Sequence, residues 1–173
     1  MTTFNTRTTC GRMFMALILS VGISACGAGE PQSVGLTEIA YNYSQESFAW
    51  VKVNGKTVGT ALEAVVPGAV GGGGSMCCFM LPVGTKQVEV YFEPAEGDGY
   101  TLTATIEKWW PDLAHYGVVH ILPGRKVVMQ VTPSAPLPRK DLLEAQQRAL
   151  GLPVGTLFQM WSAGPRERID GKE

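Results

Sequence analysis

From Gln87 to Phe92 apolar and polar residues alternate one for one, with Val88, Val90 and Phe92 set against Gln87, Glu89 and Tyr91. A period of two fits a strand that buries one face. Residues 100–110 repeat the pattern, with Leu102, Ala104 and Ile106 on one side and Thr101, Thr103 and Thr105 on the other. Residues 47–62 carry Phe48, Trp50 and Val53, then Asn54-Gly55, the strongest short hairpin signal. Residues 36–44 alternate more weakly and hold two tyrosines. Residues 77–83 form a brief apolar run that Pro82 and Gly84 end. Residues 117–133 read as two strands around a Pro123-Gly124 turn. Short strands at this spacing, with turn signals between them, predict a mainly β domain built as an antiparallel β-sandwich.

One stretch has a different period. Residues 139–150 hold Leu142, Leu143, Ala149 and Leu150 on an uneven apolar face and predict a C-terminal α-helix. Pro138 can begin it, because a first turn has no use for that amide hydrogen. Gly151 and Pro153 can stop it. Residues 154–161 read as one further strand, and 162–173 as a polar tail.

The N-terminus follows another plan. Arg7 and Arg12 precede an apolar run, Met13 to Ile23, and small residues follow. That is the layout of a secretory signal peptide. The run is shorter than the roughly 20 residues of a membrane-spanning helix. Ile23-Ser24-Ala25-Cys26 resembles the bacterial lipobox, which implies cleavage before Cys26 and lipid attachment to it. Several acyl chains, each adding about 0.8 kcal/mol per buried CH₂, make a stable anchor. Gly27 stands where Asp would retain a lipoprotein in the inner membrane, so the resemblance implies the outer membrane, facing the periplasm. The domains expected are a signal peptide (1–25), a tether (26–35), a β-sandwich (36–133) and a C-terminal helix and tail (134–173).

Charge changes the picture only by exclusion. The net charge is −1, and removing residues 1–25 takes two arginines and no acid. The mature chain has no basic footprint for nucleic acid.

Candidate chemistry centres on Gly71–Phe79, "GGGGSMCCF". Residues 68–75 nearly follow a phosphate-loop pattern, but Gly74 stands where lysine is needed. An esterase elbow on Ser75 has Gly73 on one side but Cys77 in place of the second glycine. His115 and His120 lie five apart, on opposite faces of a strand, and the mature chain has too few Cys and His for a four-ligand zinc site. No metal, cofactor or catalytic set is expected, and the chain reads as a non-enzyme.

Cys77 and Cys78 are the only thiols left once Cys10 is cleaved off and Cys26 is acylated. Three fates are open to them: a vicinal disulfide, two reduced thiols, or a bridge to another molecule. An oxidising compartment with no other intramolecular partner favours the vicinal disulfide. In that reading the glycines are a flexible lead into a cystine-locked turn. Trp109 and Trp110 come together before Pro111. One of them is a candidate anchor for a protein partner; the alternative is one tryptophan in the core and one covering a loop.

Taken together, Tyr41-Asn42, the Phe48–Gly55 strand, Gly71–Ser75 with Cys77-Cys78, and His120-Ile121-Leu122-Pro123 resemble a family of small proteobacterial lipoproteins bearing a domain of unknown function. The resemblance covers residues 36–132. Some members of that family look like immunity proteins against phospholipase effectors of the type VI secretion system. The resemblance therefore implies a periplasmic partner, a cognate lipase, neutralised by steric cover. The alternative is an envelope-associated structural or redox-sensing lipoprotein without a toxin partner.

Overall fold

The computed structural model describes residues 32–134 and 137–155. Among the described residues eight strands and one helix form: β1 (Ser33–Asn42), β2 (Phe48–Val53), β3 (Lys56–Leu62), β4 (Gly71–Pro82), β5 (Gln87–Pro94), β6 (Tyr100–Ile106), β7 (Tyr116–Leu122), β8 (Lys126–Thr132) and α1 (Lys140–Ala149). A single 3₁₀ turn, Pro111–Leu113, precedes β7.

The strands form one sheet in the order β3-β2-β5-β6-β8-β7-β1-β4. The sheet curls until its two edge strands, β3 and β4, approach each other, which makes it a nearly closed barrel. Mainly β with a C-terminal helix is therefore the architecture, but the expected antiparallel sandwich is corrected to one mixed sheet. Two pairings are parallel, β1 with β7 and β6 with β8. The alternation of side chains reports which face a residue occupies, and it is blind to which strands pair and in which direction.

Most of the predicted strands form where expected. At the β2–β3 hairpin, Asn54 and Gly55 both take positive φ, 44° and 81°, as a type I′ turn requires. Val88, Val90, Phe92, Ala104 and Ile106 are buried in the barrel with Val51, Val119 and Met129. Trp50 breaks its strand's period. Phe48 pairs with Pro94 and Trp50 with Glu93, so β2 holds one extra residue there. That bulge turns Trp50 outward and puts Val51 and Val53 inside.

The helix lies against the outer face of the sheet. Leu143 packs with Ile39, Tyr41, Tyr43 and Val118 in a second, smaller apolar cluster. Gly151, at φ 66°, ends the helix; its N–H donates to the Arg148 carbonyl and that of Leu152 to the Gln147 carbonyl, a Schellman closure. Because α1 covers the outside, β7 is buried on both faces from Gly117 to Ile121. Most of residues 154–161, read as a last strand, lies outside the described residues, as do the signal segment and Cys26. No helix among the described residues is long and apolar enough to cross a membrane.

Candidate functional site

The glycine–cysteine stretch is a strand, not a lead into a turn. Gly71–Pro82 forms β4, antiparallel to β1 and exposed along most of its length. Two irregularities shape it. Between the pairs Ile39–Ser75 and Tyr41–Gly72, β4 spends one residue more than β1. Gly72 and Gly73 take φ of 98° and 100° there. A side chain on Gly72 would run into the Ala40 carbonyl oxygen, and one on Gly73 would sit 3.1 Å from the Tyr41 ring. The glycines are thus required by the close approach of two strands and by left-handed backbone.

The second irregularity lies between Leu36–Phe79 and Glu38–Met76, again with one extra residue in β4. Cys77 and Cys78 occupy it, opposite Thr37, joined by a cis peptide. Phe79 and Leu81 point into the barrel, while Cys77, Cys78 and Met80 are exposed. The two sulfurs are in close contact at the protein surface.

Buried titratable groups lie on both faces of the sheet, and Glu38 among them escaped the sequence reading. Glu38 shares its phase on β1 with Leu36 and Ala40, which face the barrel, and it is 1 % exposed. Neither carboxyl oxygen has a hydrogen-bond partner. Its neighbour across the parallel β1–β7 ladder is Gly117, where any side chain would collide with the carboxyl group. Burial raises its pKa to about 8. The signal was present in the sequence: in "LTEIA" the glutamate sits on the apolar phase of its strand.

His120, on the outer face of β7, is sealed beneath the helix side of the sheet. Its ring stacks on Tyr41 at 5.9 Å. The Tyr43 hydroxyl accepts from the Arg139 N–H at 2.8 Å and lies 3.2 Å from His120 Nδ1. Burial first, and the Arg139 charge second, lower the His120 pKa to about 3, so the ring is neutral. Burial raises the Tyr43 pKa.

Arg139 is the hub of this network and is 3 % exposed. One guanidinium nitrogen donates to both Glu107 oxygens at 2.7 Å and to Gln130 Oε1 at 3.1 Å. Nε donates to Asp141 Oδ1 at 2.9 Å, and the other terminal nitrogen pairs with Asp141 Oδ2. The hydrogen bond from Arg139 lowers the Asp141 pKa. Arg139 also stands at the N-cap position of α1, so the network pins the start of the helix to the sheet.

The tryptophans divide in kind. Trp109 is half-buried against the barrel core and its Nε1 donates to the Thr85 carbonyl at 3.1 Å. Trp110 is also half-buried, with the Lys108 ammonium 5.4 Å from its ring centroid. Among the described tryptophans Trp50 is the exposed one, at 43 %. Beside it on the same outer face, Lys52 lies over the ring of Tyr91. His115 is exposed just before β7, away from the buried His120.

Fold and site together define a small, mixed-sheet, barrel-like β domain with an exposed cysteine pair on one edge strand and a helix pinned over one side. Comparison with protein-family models, with curated proteins and with solved structures returned no match.

Proposed function

We propose that this chain is a lipoprotein, acylated at Cys26, which faces the periplasm from the outer membrane and works by binding a protein. The partner proposed is the lipase or phospholipase effector of a type VI secretion system that the sequence resemblance implies. The role is that of its immunity protein, and the mechanism is steric cover of the lipase by a rigid β domain.

The observation that carries the binding reading is Trp50, turned outward by a bulge onto a face of the sheet that the helix does not cover. Tryptophan at the centre of an interface is a frequent hot spot. An ordinary interface takes about 800 Å² from each partner, which a domain of this size can supply. A lipid anchor raises the effective concentration at the membrane the lipase attacks.

The test looks for a lipase gene beside the one for this chain and mixes its product with the purified mature protein; an isolated gene counts against the reading. Lipase activity should be lost with a Kd at or below about 1 μM. Trp50→Ala should weaken this about tenfold or more. No binding at micromolar concentration rejects the reading.

The exposed sulfur contact favours a second one, an envelope lipoprotein that senses redox state through a vicinal Cys77–Cys78 disulfide. Non-reducing peptide mass spectrometry decides it: two free thiols in periplasmic material exclude the bond.

A further inference from the structure

In a regular strand neighbouring side chains point to opposite faces, so two adjacent cysteines would not share one ligand. Strand β4 is not regular where they stand. Met76 pairs with Glu38 and Phe79 with Leu36, and both β1 residues lie on the barrel-facing phase. Strand β4 therefore leaves that phase after Met76 and returns to it at Phe79 with two residues between, where a regular strand has one. A bulge of this kind sets two residues against a single one on the partner, here Thr37. Cys77 and Cys78 are both exposed in it, and their sulfurs are in close contact.

Met80 follows two residues after Cys78, about 7 Å further along the strand, and it too is exposed. It pairs with Gly35, and its sulfur lies 3.6 Å from where a side chain on that glycine would begin. Gly35 therefore leaves the methionine room to move. Its side chain is unbranched and turns about three bonds, which brings the thioether within reach of the cysteines.

Three sulfurs thus share one exposed stretch of an edge strand. Gly71–Pro82 carries no charged side chain. Among the described residues no group of three His, Cys, Asp or Glu is gathered to hold a metal ion. The stretch offers two thiols and a thioether, a soft donor set that falls short of the four ligands of structural zinc and suits monovalent copper.

We propose that Cys77, Cys78 and Met80 form a surface site for Cu(I). The ion replaces the two thiol protons, which pass to solvent, and the Met80 thioether completes a shell of three sulfurs. No electron is transferred, since copper enters and remains as Cu(I). The thiolate is the ligand, so the site exists only while the two cysteines are a dithiol. It depends on neither the lipase reading nor the redox-sensing one, because its ligands are defined by β4 alone.

The test uses the purified full chain carrying Cys10→Ser and Cys26→Ser, so that Cys77 and Cys78 are its only thiols. The protein is reduced, freed of reductant under argon, and mixed with the Cu(I) complex of bicinchoninic acid. Fading of the complex should show one Cu(I) taken up per chain. About two protons should be released per ion at pH 7, where free thiols are protonated. X-ray absorption at the copper edge should show three sulfur neighbours. Cys77→Ser and Cys78→Ser should each abolish uptake, and Met80→Leu should weaken it about tenfold. Zn(II) at equal concentration should not displace the copper. Should a serine variant fail to fold, the unsubstituted pair blocked with iodoacetamide serves instead and should take up none. The proposal is overturned by no uptake from the complex, by one ion per two chains, by uptake that survives the blocking of both thiols, or by binding unchanged in Met80→Leu.

Discussion

Under helix α1, β7 is buried on both faces and β1 nearly so, whereas β5 and β6 bury only their inner face. On the open side Gln87, Glu89, Thr101, Thr103 and Thr105 meet solvent, and Trp50 stands among such residues on β2. On the covered side polar groups are trapped: His120, Gln130, Tyr43 and Arg139 outside the sheet, Glu38 inside. Stability should therefore be sensitive to charge and pH through the covered side, while the open side is free to serve contact.

The largest expected effect is a pH dependence with two opposed parts. Glu38 titrates near 8 in the fold and near 4.5 as an ordinary carboxyl group. The folded state holds its proton more tightly, so this contribution is complete below pH 4.5 and is lost as pH rises to 8. The loss should be about 5 kcal/mol. His120 titrates near 3 in the fold against 6.5 ordinarily. The unfolded state binds that proton first, so stability is lost as pH falls from 6.5 toward 3. Urea unfolding should show a maximum between about pH 4.5 and 6.5 with a decline on both sides. Glu38→Gln should flatten the alkaline decline and His120→Gln the acid one. A curve that is flat from pH 5 to 8 would contradict the burial of Glu38.

Arg139→Ala should cost about 3 kcal/mol in urea unfolding, the low end for breaking a buried ion pair. Its carboxylate partners Glu107 and Asp141 are partly exposed and can rehydrate, which limits the loss. Gly72→Ala should cost about 2 kcal/mol, from left-handed backbone and collision with the Ala40 carbonyl. Trp50→Ala should change stability by no more than about 0.5 kcal/mol while weakening partner binding about tenfold or more. If Trp50→Ala instead costs as much as Arg139→Ala, the open face is packed against something and the contrast between the two sides fails.

The strands, the Asn54-Gly55 hairpin and the helix limits were legible because each rests on local pattern. Val88, Val90 and Phe92 alternate, Asn54-Gly55 fixes a turn, and Gly151 ends a helix whatever the rest of the chain does. The parallel β1–β7 pairing was not legible, because it joins residues about 80 positions apart. Trp50 misled for a related reason: one extra residue in β2 reverses every side chain that follows. The glycines of β4 read as freedom but serve closeness to β1, and closeness needs a partner strand that the local sequence does not name. The polar network depends on Arg139 meeting Glu107 and Gln130, which only the docked helix brings about. Glu38 alone among the buried charges was open to a reader who kept to its strand's phase.

Strand β1 carries one more consequence. It is the first strand of the described residues, and it is laced to β4 on one side and β7 on the other. In the anchored protein proposed above, any pull from the membrane enters the domain through Ser33 and runs along β1. Both ladders then bear the load together, in shear, with many hydrogen bonds opposing the force at once. Had the tether led into the edge strand β3, the same tug would have peeled bonds one after another. If the chain is anchored as proposed, its order ties the leash to a strand held on both sides.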